Sequence, residues 1–174
     1  MIYPIILYGD EFLRKKAIDF SLNEDVKDIV SNMFETMYEA NGVGLASTQV
    51  GIEKRLIVIN QKLDEEIFKS VFINPKITAF EGKLYSMVEG CLSLPGISGK
   101  VIRPFTIELE WYDENWNFHK EKFDGIKSRI LQHEMDHLHG ILYVDRIHPD
   151  ERLKLFMQLE DIKNRKIKVN YFIK

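Results

Sequence analysis

The sequence predicts an α+β fold in which antiparallel β-sheets surround a central helix. Three observations indicate this class: a helical apolar period near the N-terminus, a middle region rich in β-branched and aromatic residues, and further helical segments after it. The chain has 174 residues, of which 45% are hydrophobic. That length suits one core better than two, so we expect a single domain over residues 1–174.

The first predicted element is an N-terminal amphipathic helix from Glu24 to Tyr38. Apolar side chains recur there at helical spacing, and Asn41-Gly42 supplies a stop signal. The apolar positions are Val26, Ile29, Val30, Met33, Phe34, Met37 and Tyr38.

The middle of the chain predicts three strands, at residues 55–60, 70–80 and 105–113. Their β-branched and aromatic content is typical of strands, and the third alternates apolar with polar residues. No helical crossover separates the segments, so we expect antiparallel pairing. Residues 88–96 predict a further strand that ends in a tight Pro-Gly turn.

Two helices are expected in the last third of the chain. Asp124 can cap a helix that runs from about Gly125 to Leu138, and Gly140 is placed to end it. A C-terminal helix follows His148-Pro149, and residues 166–174 are expected to add an edge strand. The expected buried side of the C-terminal helix is Leu153, Leu155, Phe156, Leu159 and Ile162.

Composition excludes several classes of function. The net charge is -3, and the Lys and Arg residues are scattered rather than gathered into the basic stripe that nucleic acids require. The single cysteine excludes an internal disulfide and fits a reducing compartment. No apolar run is long enough to span a bilayer, and the N-terminus lacks the features of a targeting signal. We therefore expect a cytoplasmic protein.

The stretch "LQHEMDHLHG", residues 131–140, carries the strongest chemical signal. His133 and His137 are four residues apart, so they lie on one helix face and can chelate one cation. Glu134 points partly sideways, where it can take a proton from a water at that cation. Alternatively, these are polar residues of an ordinary solvent-facing helix. The flanking apolar residues favour a buried helix and hence ligation: Ile130, Leu131, Leu138, Ile141 and Leu142.

The residues alone leave the third ligand open. His139 lies on the opposite side of the helix, and His119 and His148 stand in polar surroundings where we expect exposure. The metzincin pattern fails because Tyr143 occupies its third histidine position. Cys91 could supply a thiolate suited to Fe(II) or Zn(II), although a lone cysteine is often an inert buried residue.

Two further segments could approach a reacting group. "VEGCLSLPG", residues 88–96, places Cys91 before a tight loop whose N–H groups could meet an anion. "GVGLASTQVG", residues 42–51, lacks the glycine spacing and context of a dinucleotide site and is otherwise a helix stop with a turn. It carries Gln49, whose amide could donate to a developing oxyanion.

Together, "GVGLASTQ", "EGCLS" and "QHEMDHLHG" resemble the three signature motifs of bacterial peptide deformylases, in the same order and at comparable separations. The N-terminal "PIILYGDEFLRKKA" is also similar to that family's opening, and the resemblance extends from about Pro4 to Ile147. Ser47 and Ser98-Gly99 depart from the residues that the family often has. These departures concern the substrate loops.

The resemblance implies the removal of the formyl group from the N-terminal formyl-methionine of newly synthesised proteins, with release of formate. It implies one divalent metal ion, with Fe(II) expected and Zn(II), Ni(II) or Co(II) as substitutes. Glu134 would be the general base and acid. The implied ligands are Cys91, His133 and His137; the oxyanion donors are Gln49 and the Leu92 N–H; a Glu89–Arg103 pair and backbone from Val43, Gly44 and Gly90 complete the site. An apolar slot beside Ile130 would take the methionine side chain.

Two rival functions remain open in the sequence. A zincin-type endopeptidase would need its third ligand downstream of His137, and Glu160 and Asp161 are acidic residues in that part. A non-enzyme would hold a structural cation closed by a fourth protein ligand. The expected partners are formyl-methionyl nascent peptides, with transient ribosome association left open. The Lys-rich C-terminal helix and tail are a candidate for such a contact, but the pattern favours a solvated charged face.

Overall fold

The computed structural model describes residues Met1–Lys174 and has an α+β fold, which confirms the predicted class. One five-stranded antiparallel sheet has the order β1-β2-β3-β4-β5. The prediction of several sheets was wrong. The strands are β1 Gly44–Ala46, β2 Leu56–Leu63, β3 Glu66–Cys91, β4 Leu94–Tyr112 and β5 Phe118–Asp124; the helices are α1 Lys27–Glu39, α2 Gly125–Leu138, α3 Pro149–Lys154 and α4 Phe156–Lys163, with 3-10 turns at Glu11–Arg14, Ser47–Val50 and Tyr143–Asp145.

The strand β2 is buried on both faces and divides the core in two. Leu56 and Val58 face a core shared with α1, whereas Ile57 and Ile59 face a second core shared with α2. Successive side chains of a strand point to opposite faces of the sheet. A run of apolar residues without alternation therefore places this strand between the two helices.

The long hairpin β3–β4 carries Cys91 at its tip. The two strands are much longer than the segments predicted at 70–80 and 105–113, because irregular positions are absorbed as bulges rather than ending the strands. One register shift lies between Glu81 and Leu84, around Gly82, and another lies between Gly90 and Cys91. The bulged ribbon reaches across α2 and returns through the two-residue turn Leu92-Ser93.

Sequence patterns missed the two strands at the edges of the sheet. The strand β1 has only three residues, too few for a periodic signal. The strand β5 includes His119 and its polar neighbours, where the sequence pattern predicts no strand. It pairs with β4 from Tyr112↔Phe118 to Thr106↔Asp124.

The last third of the chain corrects four further expectations. One predicted helix is two, α3 and α4, which meet at Leu155. Leu153 and Phe156 are 73% and 55% exposed, so they do not belong to the buried side, whereas Leu159 and Ile162 do. The predicted edge strand is a single parallel bridge between Ile5 and Ile173. Asp124 occupies the N-cap position of α2, but its side chain makes no capping hydrogen bond.

No helix of the chain has both the length and the apolar character needed to cross a membrane.

The end of α2 generates a stability prediction. Gly140 has a φ of +72°, and a Cβ atom there would collide with the Arg14 backbone, whereas Gly96 has a φ of +77° with open space around it. Alanine at either position meets left-handed strain of about 1–2 kcal/mol. We expect Gly140→Ala to lower the free energy of unfolding by a further ~1–3 kcal/mol because the backbone must shift. Urea denaturation of both variants checks this, and equal losses would contradict it.

Candidate metal centre and active site

The fold brings Cys91 to the two histidines of α2. Ligand atoms of Cys91, His133 and His137 all lie within 4.8 Å of one another, and Cys91 Sγ is 3.2 Å from His137 Nε2. Cys91 ends β3, whereas the histidines lie one turn apart on α2. The tip of the hairpin thus places a third candidate ligand beside the two histidines of α2.

Burial of α2 sets the character of the site. Every residue from 128 to 138 is buried, including the polar side chains of the HExxH motif. The His133 and His137 rings meet edge to face, with centroids 5.0 Å apart. Buried imidazoles need partners. Here each ring contacts the other, and the two rings also meet the Cys91 thiol and the Glu89 carboxylate.

Glu89 fixes the orientation of His133. Its Oε2 lies 2.9 Å from His133 Nδ1, so Nδ1 carries the proton and Nε2 is left to face the Cys91 thiol. Burial by itself would raise the pKa of Glu89. Hydrogen bonds from Arg103 and His133 outweigh it and hold the pKa well below its usual range.

A buried ion-pair network supports Glu89. Arg103 binds it in a bidentate manner, at 2.7 and 2.8 Å, and donates a third bond of 2.8 Å to Asp136. Arg129 donates to Glu89 Oε1 at 2.9 Å, and Arg146 binds Asp136 through two nitrogens. The hairpin and α2 are therefore connected by charge-assisted hydrogen bonds. These bonds lie directly behind Cys91, His133 and His137, which together are called the metal cluster below.

Glu134 is a buried carboxylate with one free oxygen. It is 5% exposed, and its Oε2 has no hydrogen-bond partner within the protein. Burial raises the pKa of Glu134 to about 7. A carboxylate poised near neutral pH can both accept and return a proton, which is the requirement for a general base that later acts as an acid.

Gly44 makes room for that carboxylate. A Cβ atom at this position would lie 2.7 Å from Glu134 Oε1. The glycine is thus required by the close approach of the β1 backbone to the side chain of α2.

Two donors point toward the Cys91 turn. Gln49 is buried; its Oε1 accepts from the Ala46 N–H, so its Nε2 faces Cys91 Sγ at 3.5 Å and Ser93 Oγ at 3.1 Å. The Leu92 N–H donates to no group of the protein. Both donors border the space in front of the cluster.

The donor set fits a divalent transition metal. Burial lowers the pKa of His137 well below its ordinary value, which keeps this imidazole neutral as a ligand must be. Burial also opposes the charge on His133, but hydrogen bonds to Cys91 and Glu89 raise its pKa well above the ordinary value. A cation bound by the thiolate and this imidazole would displace that proton. One sulfur and two nitrogens suit Fe(II), Zn(II), Ni(II) or Co(II) rather than Mg²⁺ or Ca²⁺.

A cavity of about 520 Å³ opens in front of the cluster. Cys91, His133 and Glu134 lie in its wall, together with apolar side chains from the hairpin and from α2. The residues expected to meet a substrate also line it: Val43, Gly44, Gln49, Gly90, Leu92 and Ile130. Such a mixture of apolar walls and a few polar groups is typical of a small-molecule or peptide site.

The other candidate ligands lie elsewhere. His139 follows α2 and bonds to the Met135 carbonyl, His119 lies on β5 against Asp113, and His148 is exposed before α3. Glu160 and Asp161 are on α4, outside the metal cluster. The endopeptidase alternative is therefore not favoured.

Sequence patterns did not indicate several residues that lie around the site. Arg129 and Arg146 join the ion-pair network, Tyr143 stacks on His133 with centroids 6.2 Å apart, and Tyr171 reaches the cavity wall. Asp136 is buried and forms ion pairs with Arg103 and Arg146. Only the i, i+4 spacing of Arg129 and His133 could have suggested a shared face of α2.

An α+β fold with a cysteine, two histidines and a buried glutamate around one cavity defines a metal-dependent hydrolase as the class of protein. The model of the family "Polypeptide deformylase" matches residues 2–153. This chain belongs to the polypeptide deformylase family, and it is accordingly an enzyme.

Similar proteins agree in sequence and fold. A peptide deformylase of Chlorobium limicola is 42% identical over 98% of this chain and 94% of its own length, and one of Cytophaga hutchinsonii is 40% identical over 100% and 97%. The crystal structure of a peptide deformylase from Synechococcus elongatus in complex with actinonin has a TM-score of 0.82 and 40% identity, with 94% of this chain and 87% of that one covered. The crystal structure of a Plasmodium falciparum peptide deformylase has a TM-score of 0.86 and 36% identity. The match covers 94% of this chain and 95% of that one.

The Glu89 network generates a second stability prediction. Glu89→Gln leaves the guanidinium groups of Arg103 and Arg129 buried without a full partner. We expect this to lower the free energy of unfolding by about 3–5 kcal/mol. The matched control is Glu81→Gln, which breaks an exposed pair with Lys122 and should cost less than about 1 kcal/mol. Similar losses in both variants, measured by urea denaturation, would show that the buried network is not critical.

Gly44 generates a prediction about activity. In Gly44→Ala the new methyl group pushes the Glu134 carboxylate from its position, and we expect kcat to fall about 10- to 100-fold. Gly82→Ala is the control, because a Cβ there is also crowded, at 3.3 Å from Phe105 Cβ, but Gly82 lies outside the cavity. Steady-state kinetics checks both variants. An unchanged kcat in Gly44→Ala would mean that Glu134 need not keep its position.

Proposed function

We propose that this enzyme removes the formyl group from N-formyl-methionyl peptides and releases formate. One observation carries the proposal: Cys91, a residue outside the helix, completes the metal cluster beside the buried Glu134. The zincin alternative requires a ligand downstream of His137. No downstream side chain belongs to the cluster.

The proposed ligands of the cation are Cys91, His133 and His137, and Fe(II) is the proposed native ion. When bound, the cation would act as a Lewis acid that polarises the formyl carbonyl and lowers the pKa of the attacking water to about 7. The Glu89 carboxylate would keep His133 in the tautomer that binds metal.

Glu134 would move the proton. Its free Oε2 would accept a proton from the water as the water oxygen attacks the formyl carbon. The same carboxylic acid would then protonate the amine nitrogen as the carbon–nitrogen bond breaks. Its raised pKa, about 7, supports both steps near neutral pH.

Gln49 and Leu92 would stabilise the charge on the formyl oxygen. The Gln49 Nε2 and the free Leu92 N–H flank Cys91, where that oxygen would lie. A single donor of this kind is typically worth about 3–4 kcal/mol in the transition state. Both are held by the fold before substrate binds.

The cavity would receive the peptide. Backbone of Val43, Gly44 and Gly90 would pair with the substrate main chain, and an apolar slot beside Ile130 would take the methionine side chain. The unbranched thioether adapts well to such a slot. The proposed setting is the bacterial cytoplasm, where newly synthesised proteins supply the substrate. Transient contact with the ribosome belongs to the same proposal.

Two variants separate metal binding from proton transfer. Cys91→Ala should lose most of the bound metal, because only two protein ligands remain. Glu134→Gln should keep its metal and release formate roughly 100-fold more slowly or worse. Metal content of anaerobically purified protein and formate release from a formyl-Met peptide are the measurements.

A Cys91→Ala variant with full metal content and activity would favour the endopeptidase. In that case Glu160→Gln, silent under our proposal, should remove the metal. A native rate in Glu134→Gln would exclude Glu134 as the general base.

A further inference from the structure

Tyr171 connects the C-terminal segment to the catalytic turn. Its hydroxyl donates a hydrogen bond of 2.6 Å to the Leu92 carbonyl, and its ring forms part of the cavity wall. We propose that Tyr171 is a positioning residue for the hydrolysis, since it holds the Leu92-Ser93 turn that presents Cys91 and the Leu92 N–H. The inference deepens the proposed function and depends on it.

The turn is held by groups from outside the hairpin. The Ser93 carbonyl accepts from the Tyr8 N–H at 2.8 Å, and the Ser93 hydroxyl accepts from Gln49 at 3.1 Å. Tyr171 takes the one remaining carbonyl, that of Leu92. The N–H groups of Leu92 and Ser93 have no partner in the protein. Every acceptor of the turn is thus restrained, and Leu92, whose N–H is free, lines the cavity.

The segment that carries Tyr171 is itself anchored to a buried strand-like stretch. Ile5 donates to the Phe172 carbonyl at 2.9 Å, and Lys174 donates to the Ile5 carbonyl at 3.0 Å. Ile6, the next residue, donates to the Gln49 carbonyl at 2.8 Å. Ile5 and Ile6 are fully buried. The same rigid residues therefore position Gln49 and Tyr171.

The phenol is suited to a constant hydrogen bond. Burial raises the pKa of Tyr171 to about 12, so the O–H is retained throughout the neutral range. A donor to an oxyanion is effective because it is fixed before the charge develops. Releasing the Leu92 carbonyl would loosen the turn that also carries the Leu92 N–H, and it should therefore affect the transition state more than the ground state.

The test is Tyr171→Phe, with Tyr3→Phe as the matched control. Tyr3 is also half-buried and loses one hydrogen bond, from Asn32 at 3.1 Å, but it lies outside the cavity. In Tyr171→Phe we expect kcat to fall about threefold to tenfold. KM should stay within about twofold and metal content should be unchanged. Tyr3→Phe should keep the wild-type kcat.

Amide hydrogen exchange gives a readout that needs no activity. Peptides covering residues 90–95 should exchange faster in Tyr171→Phe than in the wild type or in Tyr3→Phe. Unchanged exchange, an unchanged kcat, a rise in KM alone, or an equal fall of kcat in Tyr3→Phe would each overturn the inference. If the wild type releases no formate, the proposed function fails instead, and exchange alone then decides whether Tyr171 holds the turn.

Discussion

The structure depends on one buried carboxylate. Glu89 lies on the β3–β4 hairpin and has three partners. Arg103 is on the opposite strand of the same hairpin, whereas Arg129 and His133 are on α2. Two cations and an imidazole offset the cost of burying its charge. Because these bonds join the ribbon to the helix at one point, the position of Cys91 relative to the histidines follows from them. The relative positions of Cys91, His133 and His137 thus depend on the ion pairs that Glu89 forms in the core.

The sheet determines which core each helix packs against. Since β2 is buried on both faces, α1 closes one core and α2 is free to close the other. A helix enclosed by a sheet and a returning hairpin can be buried along eleven residues. In such surroundings polar side chains are stabilised by a connected network of hydrogen bonds. His133, His137 and Asp136 belong to this network, whereas Glu134 Oε2 has no partner in the protein and borders the cavity.

Features that depend on residues close together in the sequence could be predicted, whereas contacts between residues far apart along the chain could not. The spacing of His133, Glu134 and His137 is local, so periodicity was enough to single them out. Cys91 is 42 residues from His133, and only the resemblance to a family linked the two. The lengths of β3 and β4 were underestimated because bulges around Gly82 are invisible to a two-residue period. Tyr171 was missed, since nothing in a polar tail indicates which carbonyl its hydroxyl will meet.

The pairing of Ile5 with Ile173 has a practical consequence for handling the enzyme. Any affinity tag or fusion partner attached after Lys174 begins four residues beyond Tyr171. It would pull on the segment that contacts the Leu92 carbonyl. The amino group of Met1 instead bonds to exposed side chains of α1, Asn32 and Glu35, well away from the cavity lining. Extensions are therefore best placed at the Met1 end, where they leave the Tyr171 segment undisturbed.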